Sequence, residues 1–220
     1  MSKSIAIIQT STISTADLTR LCNEILPGVK IYHIIDSSLL DEVVANNHPT
    51  SGVYSRMFQY YKNAQDLGVD AILNQCSSVS EVAEYMKQFI DVPIVKVDEA
   101  MARKAVSMAD KIALVATAPS TLAPSHRLLD SAAAEAGKDV KITEYLSAGA
   151  MQVLLATGDK QKHNEMIIDT VRQAAAENDV VVLAQGSMLA LEPMLSTIDK
   201  PVLTSPKLGV EYLKEVLDRA

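Results

Sequence analysis

Short, largely apolar runs recur along this chain, and a helix-length segment follows each one. The runs fall at residues 5–8, 29–35, 69–73, 92–97, 112–116, 140–145, 179–183 and 201–203. A strand that is apolar throughout needs cover on both faces, and strand–helix alternation supplies that cover in a parallel sheet. The intervening segments carry helical spacing: Leu18, Leu21, Cys22 and Ile25 share one face of the first. Further helices are expected over 39–44, 53–67, 81–90, 98–108, 122–136, 148–155, 160–177 and 210–217. Pro27-Gly28 stops the first helix, Gly68 occupies a helix C-cap position, and residues 46–52 read as a loop. The pattern runs twice, before and after residue 97. The expected architecture is α/β, with two similar lobes, each a parallel β-sheet flanked by helices, and the active site in the cleft between them. Residues 1–97 plus 206–220 form the expected first lobe and residues 98–205 the second.

Charge narrows the functional classes. Lys and Arg number 20 against 27 Asp and Glu, a net charge of −7 with no basic block. Nucleic-acid and membrane-surface partners are therefore not expected, because both require clustered cations. The apolar runs are far shorter than the roughly 20 residues that span a bilayer. The opening MSKSIAIIQTSTIS lacks a long apolar segment ending in a small-residue cleavage site, so a cytoplasmic protein is expected. Cys22 and Cys76 read as free thiols, with Cys22 on an apolar helix face. The four histidines (33, 48, 126 and 163) are scattered, and no metal site is expected. With no Trp and 4% aromatic residues, stacking on bases or sugars is not a theme.

In open parallel sheets ligands bind beyond the carboxyl ends of the strands. Those ends carry Gln9-Thr10-Ser11, Gln75-Cys76-Ser77-Ser78, Thr117-Ala118-Pro119-Ser120-Thr121 and Gln185-Gly186-Ser187. All four clusters hold small hydroxyl or amide groups, and nearby helix N-termini favour an anion such as a carboxylate. No glycine-rich nucleotide fingerprint accompanies them, so no nucleotide cofactor is expected. Cys76 lies just past an apolar strand and just before a helix. A thiol there is expected to have a lowered pKa and to act as base or nucleophile, although a small buried core residue would also fit. Arg56 could anchor a substrate carboxylate in bidentate fashion, or be a solvated helix residue. His163 reads as an exposed helix-start histidine. Asp98 and Glu99 open a helix, where the dipole alone favours acids, and Asp98 could also face the pocket.

Four segments together resemble the aspartate/glutamate/hydantoin racemase superfamily, in register over nearly the whole chain. The run from Gly68 to Val79 is similar to the superfamily's first-cysteine segment. Pro93-Ile94-Val95 with Asp98-Glu99-Ala100-Met101 resembles the opening of its second lobe. The run from Val115 to Thr121 is similar to a Gly-Thr-x-x-Thr region, and the run from Asp179 to Gln185 falls where the second cysteine is found. The resemblance implies a cofactor-independent mechanism in which one thiolate removes a proton alpha to a carboxylate or carbonyl. A second thiol returns a proton on the opposite face. It also implies a homo-oligomer. Here Cys76 keeps the first position and Gln185 occupies the second, and an amide is neither acid nor base near pH 7.

The expected function is a racemase- or epimerase-like isomerase acting on a small polar carboxylate, hydroxy acid or keto acid, without cofactor. Cys76 is the expected catalytic group. Gln9, Thr10, Ser11, Arg56, Ser77, Ser78, Thr117, Gln185, Gly186 and Ser187 are the expected substrate-binding set. A single-cysteine decarboxylase or lyase on the same fold is the first alternative, and a non-catalytic small-molecule binding protein the second.

Overall fold

The computed structural model describes residues 3–219. The chain opens with β1 (Ser4–Gln9), α1 (Thr15–Ile25), β2 (Lys30–Ile35), α2 (Ser38–Asn46), α3 (Ser51–Asp66) and β3 (Ala71–Asn74). A 3-10 turn at Ser77–Val79 leads into α4 (Ser80–Met86), β4 (Ile94–Lys96) and α5 (Glu99–Met108). There follow β5 (Lys111–Ala116), α6 (Pro119–Ala136), β6 (Lys141–Leu146), α7 (Ala150–Thr157), α8 (Lys160–Glu177) and β7 (Val180–Leu183). A 3-10 stretch at Gly186–Leu191, α9 (Glu192–Leu195), β8 (Val202–Thr204) and α10 (Ser205–Arg219) complete the order. The strands make two parallel four-stranded sheets, ordered β2-β1-β3-β4 and β6-β5-β7-β8. The chain divides into two compact units, one ending at Ala100 and resuming at Pro206, the other spanning Met101–Ser205.

In the first unit, alternate residues of each strand serve opposite faces of the sheet, as the two-residue period of a strand requires. Ala6, Ile8 and Ile72 pack with Leu39 and Val43 of α2, Met57 and Tyr61 of α3 and Val82 of α4. Ile5, Ile7, Leu73 and Val95 pack on the other side with Leu18, Leu21 and Cys22 of α1 and Val210, Leu213 and Leu217 of α10. Each such side chain, fully buried, contributes roughly 1.5–3 kcal/mol. Gly209 lets α10 approach its sheet closely. A Cβ there would stand 2.3 Å from the Val97 carbonyl oxygen, so only glycine permits this main-chain contact at the end of β4. After α3, Gly68 takes φ +72, the left-handed conformation that turns the chain into β3.

The second unit repeats the plan. Ala113, Val115, Val181 and Leu183 pack with Ala150 of α7 and with Ile167, Ile168, Val171 and Ala174 of α8. In both units the two inner strands are buried, whereas the edge strands β2 and β6 alternate between exposed and half-buried residues. The runs at 29–35 and 140–145 are thus not covered on both faces, and their polar residues, Lys30, His33, Thr143 and Glu144, reflect it.

The expected loop at 46–52 is shorter than its sequence suggested. Thr50 caps α3 by accepting a hydrogen bond from Val53 N at 3.3 Å, which draws Ser51 and Gly52 into the helix. The 3-10 stretch and α9 over 186–195 were not anticipated. Their apolar residues, Met188, Leu191, Met194 and Leu195, fold as short turns against the second unit's core.

Candidate active site

β3 lies between β1 and β4, with Asn74 opposite Ile8 on one side and Lys96 on the other. The neighbouring chains stay paired just past the strand end. Gln75 N donates to Ile8 O at 3.0 Å, and Val97 N donates to Asn74 O at 3.0 Å. Cys76 remains extended at φ −104, ψ 120, and the 3-10 turn begins immediately after it. That change of direction brings the main-chain N–H groups of Ser78 and Val79 to the thiol, together with the Ser78 hydroxyl. Thr10, one residue beyond β1, adds its own hydroxyl.

Four donors favour the thiolate, yet the pKa of Cys76 is raised, because burial of the thiol outweighs them. This corrects the sequence expectation of a lowered pKa. A single 3-10 turn stands between Cys76 and α4, and the loss of water around sulfur exceeds what the N–H groups of Ser78 and Val79 return. Cys76 is therefore a thiol at rest near neutral pH, with the donors for its thiolate already in place. Cys22 behaves as its surroundings dictate: enclosed by the core, its thiol is pushed up to about 12.

Two buried residues hold the Cys76 main chain. Asn74 Nδ2 donates to Cys76 O at 3.1 Å, and the Tyr61 hydroxyl donates to Asn74 Oδ1 at 3.1 Å. Burial raises the pKa of the Tyr61 phenol, and a thiolate at Cys76 adds to that rise. Sequence reading placed neither in the site. The available signal was a tyrosine on the buried face of α3 with Met57 and Ala64, whose hydroxyl needed a buried partner.

The remaining sequence candidates separate. Ser77 and Ser78 are buried in the turn, while Ser11 is partly exposed beyond β1. Gln9 is 0% exposed and drawn into the protein's own network. Its Nε2 donates to Thr15 Oγ1 at 3.0 Å, and its Oε1 accepts from His33 Nδ1 at 2.9 Å. Arg56 lies beside Ser38 and Asp36, just past the end of β2, and is engaged by the protein's own groups. Its guanidinium pairs with Glu42, donates to Ser38 Oγ at 2.6 Å and to Gly52 O at 3.3 Å, and so ties α3 to α2. His163 sits in the first turns of α8 against Asn164 Oδ1 at 2.9 Å. Among the described residues, no group of three His, Cys, Asp or Glu side chains is placed to hold a metal ion, and no helix is long and apolar enough to cross a membrane.

The second unit carries a matching cluster at the carboxyl ends of β5 and β7. Gln185 Oε1 accepts from Thr117 N at 2.7 Å and from Thr117 Oγ1 at 2.9 Å. A main-chain N–H can only donate, so the amide orientation is fixed and the Gln185 NH₂ group is directed away from Thr117. Gly186 and Ser187 follow, partly exposed, at the start of the 3-10 stretch. Gln185 thus presents its amide N–H groups, rather than its oxygen, on the side away from Thr117.

Two parallel α/β units with polar strand ends, one of them bearing a thiol in a cradle of donors, define a two-lobed class of α/β proteins. The chain belongs to the Asp/Glu/hydantoin racemase family, whose model matches residues 5–213. Solved structures agree on the fold. A Picrophilus torridus aspartate racemase superposes with a TM-score of 0.76 at 14% identity, covering 98% of this chain and 94% of its own. A glutamate racemase isoform from Bacillus anthracis gives 0.73 at 15% identity, covering 99% and 82%. An allantoin racemase from Klebsiella pneumoniae gives 0.70 at 17% identity, covering 99% and 89%. At these identities the likeness concerns the fold alone. No curated protein sequence matches the chain.

Proposed function

We propose that this protein is a cofactor-independent isomerase of the racemase or epimerase type, in which Cys76 carries the proton at a carbon alpha to a carboxylate or carbonyl. The observation that carries this reading is the convergence of four donors, from Thr10, Ser78 and Val79, on one thiol at a strand's carboxyl end. A core cysteine has no use for donors; a thiolate base does. Once formed, this thiolate is a stronger base than an ordinary one, because burial keeps its proton affinity high. Ser77 and Ser78, with Ser11, are proposed to bind the substrate in the first unit. In the second unit, Thr117, Gln185, Gly186 and Ser187 are proposed as a ligand-binding cluster suited to an anionic or carbonyl oxygen.

The family and the structural neighbours named above support a small amino-acid-like or ureide substrate, and the polar strand ends fit such a molecule. A one-thiol lyase or decarboxylase is the second reading, favoured by the presence of Gln185 where a second thiol would otherwise return the proton.

The test is proton exchange in deuterated water. A panel of small amino, hydroxy and keto acids and ureides is incubated with the protein, and alpha protons are followed by NMR. Exchange that vanishes in Cys76→Ala supports the proposal, and the product's configuration or loss of carbon dioxide separates isomerase from lyase. Exchange that survives Cys76→Ala overturns the role of the thiol. Silence across the panel, with Cys76 inert to iodoacetamide up to alkaline pH, assigns the fold to ligand binding instead.

A further inference from the structure

One carboxyl in the first unit is enclosed by the protein with little to stabilise its charge. Asp98 is 2% exposed, and neither Oδ1 nor Oδ2 makes a hydrogen bond. It lies two residues past β4, the strand paired with the one that ends at the Cys76 turn. The Ser77 hydroxyl and the Asp98 main-chain N–H both favour its ionised form, although neither reaches full hydrogen-bond geometry. Lys96, 7% exposed and paired with Glu84 at 2.6 Å, supplies the nearest positive charge, and Glu99 a negative one. Gly209 fixes the main chain just before it by contact with Val97. A buried carboxylate without donors is costly, so such a group is kept protonated or serves a reaction that ionises it briefly. Burial dominates here and raises the Asp98 pKa above the usual carboxylate range.

We propose that Asp98 is a proton reservoir for the Cys76 site, acting through the hydroxyl of Ser77. The inference rests on the function proposed above and addresses the proton that Gln185 has no means to return. The Cys76 thiolate takes the alpha proton, breaking the C–H bond and leaving its electron pair on carbon as an enolate-like intermediate. Ser77 Oγ–H gives its proton to that carbon while Asp98 passes its own to Ser77 Oγ. A new C–H bond forms, and Asp98 is left as a carboxylate beside Lys96. Cys76 then releases a proton to solvent and Asp98 regains one, restoring both groups. Asp98 is a positioning residue in this scheme, since its oxygens reach the substrate only through Ser77.

Two measurements test it. Carbon-13 NMR of protein labelled at the aspartate carboxyls, with the Asp98 signal assigned by Asp98→Asn, reports its protonation without any substrate. The expected result is a neutral carboxyl at pH 7 whose signal moves in Ser77→Ala; an ionised Asp98 at pH 7 overturns the proposal, whatever the exchange panel yields. With a panel substrate, Asp98→Asn and Ser77→Ala are each expected to slow product formation by roughly 100-fold or more, the lower range for general acid catalysis. The residual rate in Asp98→Asn is expected to lose the alkaline limb that deprotonation of the reservoir imposes, a change that a purely structural role would not cause. Wild-type rates and an unchanged pH profile in Asp98→Asn would overturn the reservoir while leaving the thiol's role intact. Exchange that survives Cys76→Ala would instead defeat the underlying functional reading.

Discussion

The two units are built on the same register and diverge at one side chain. In the first, Ile8 pairs with Asn74; in the second, Val115 pairs with Leu183. Counting two residues onward from each pair places Thr10 and Cys76 in one unit on Thr117 and Gln185 in the other. In both, the threonine beyond the central strand donates its hydroxyl to the residue two positions past the neighbouring strand. The threonine is therefore a general cradle for whatever occupies that position. With sulfur in the cradle the donors favour a thiolate; with an amide they are consumed by Oε1 and turn an NH₂ group outward. One register thus holds a thiol in one unit and an amide in the other, which is why the site must be argued residue by residue.

The largest effect should come from erasing the difference. Cys76→Gln makes the first unit resemble the second, whose cradle already accommodates glutamine. Loss of alpha-proton exchange by at least the roughly 10²–10⁴-fold typical of a general base is expected. The thermal unfolding midpoint should move little, because the matching Thr117 cradle already holds a glutamine amide. A large drop in the midpoint would show that the cradle is not interchangeable and would break the comparison.

The reverse exchange comes next. Gln185→Cys places a thiol beside Thr117 N and Oγ1, the donors now held by Oε1 at 2.7 and 2.9 Å. A second iodoacetamide-reactive cysteine is expected, and with a panel substrate a faster appearance of the product of inverted configuration. An inert second thiol would mean that the Thr117 cradle serves an amide only.

The fold was legible because its signal is local. Each of the eight runs became a strand: the inner ones are buried and nearly all apolar, and the edge strands β2 and β6 keep enough apolar residues to mark them. Cys76, Ser77 and Thr117 were legible as strand-end residues for the same reason. Residues that act across elements were not. His33 reaches Gln9 from the neighbouring strand, and Glu42 reaches Arg56 from another helix, so two candidate ligand-binding side chains were already engaged. No spacing in the sequence announces either contact. The direction of the Cys76 shift was lost for a related reason: a helix N-terminus can be read from sequence, but the depth to which sulfur is buried cannot.

Thr10→Val and Thr117→Val separate the two cradles at a smaller scale. Thr10 lowers the Cys76 pKa, so removing its hydroxyl raises that pKa further. A hydrogen bond to a charged group is worth about 1.5–3 kcal/mol, and one pKa unit is about 1.4 kcal/mol. At a fixed pH below the pKa, alkylation of Cys76 should therefore slow by about tenfold in Thr10→Val and stay unchanged in Thr117→Val. Stability carries the same sign. A thiol whose pKa is raised on folding is deprotonated more readily in the unfolded chain, so its contribution is complete below the ordinary value of 9.0 and is lost as pH rises beyond it. Urea unfolding followed across that range should fall more steeply in Thr10→Val than in Thr117→Val. Equal behaviour of the two variants would remove Thr10 from the thiol's surroundings.

Tyr61→Phe gives the smallest expected change and tests the hydrogen bonds behind the Cys76 main chain. The Tyr61 hydroxyl donates to Asn74 Oδ1 at 3.1 Å, and Asn74 in turn holds the Cys76 carbonyl at 3.1 Å. Removing the hydroxyl leaves a buried acceptor unpaired, at a cost of about 1–3 kcal/mol. The ring remains, so the core around Met57 and Ala64 keeps its packing. Denaturant unfolding should register that loss. The thiol should respond separately: without the phenol to limit its movement, Asn74 is free to release the Cys76 main chain, and the N–H groups of Ser78 and Val79 lose alignment with sulfur. A few-fold slower alkylation at fixed pH is the expected sign. Asn74→Ala should reproduce it, and combining the two changes should add little, because both break the same chain of hydrogen bonds. If stability falls but alkylation is unaffected in both variants, the Tyr61–Asn74 pair supports the fold of the first unit without setting the geometry of its thiol.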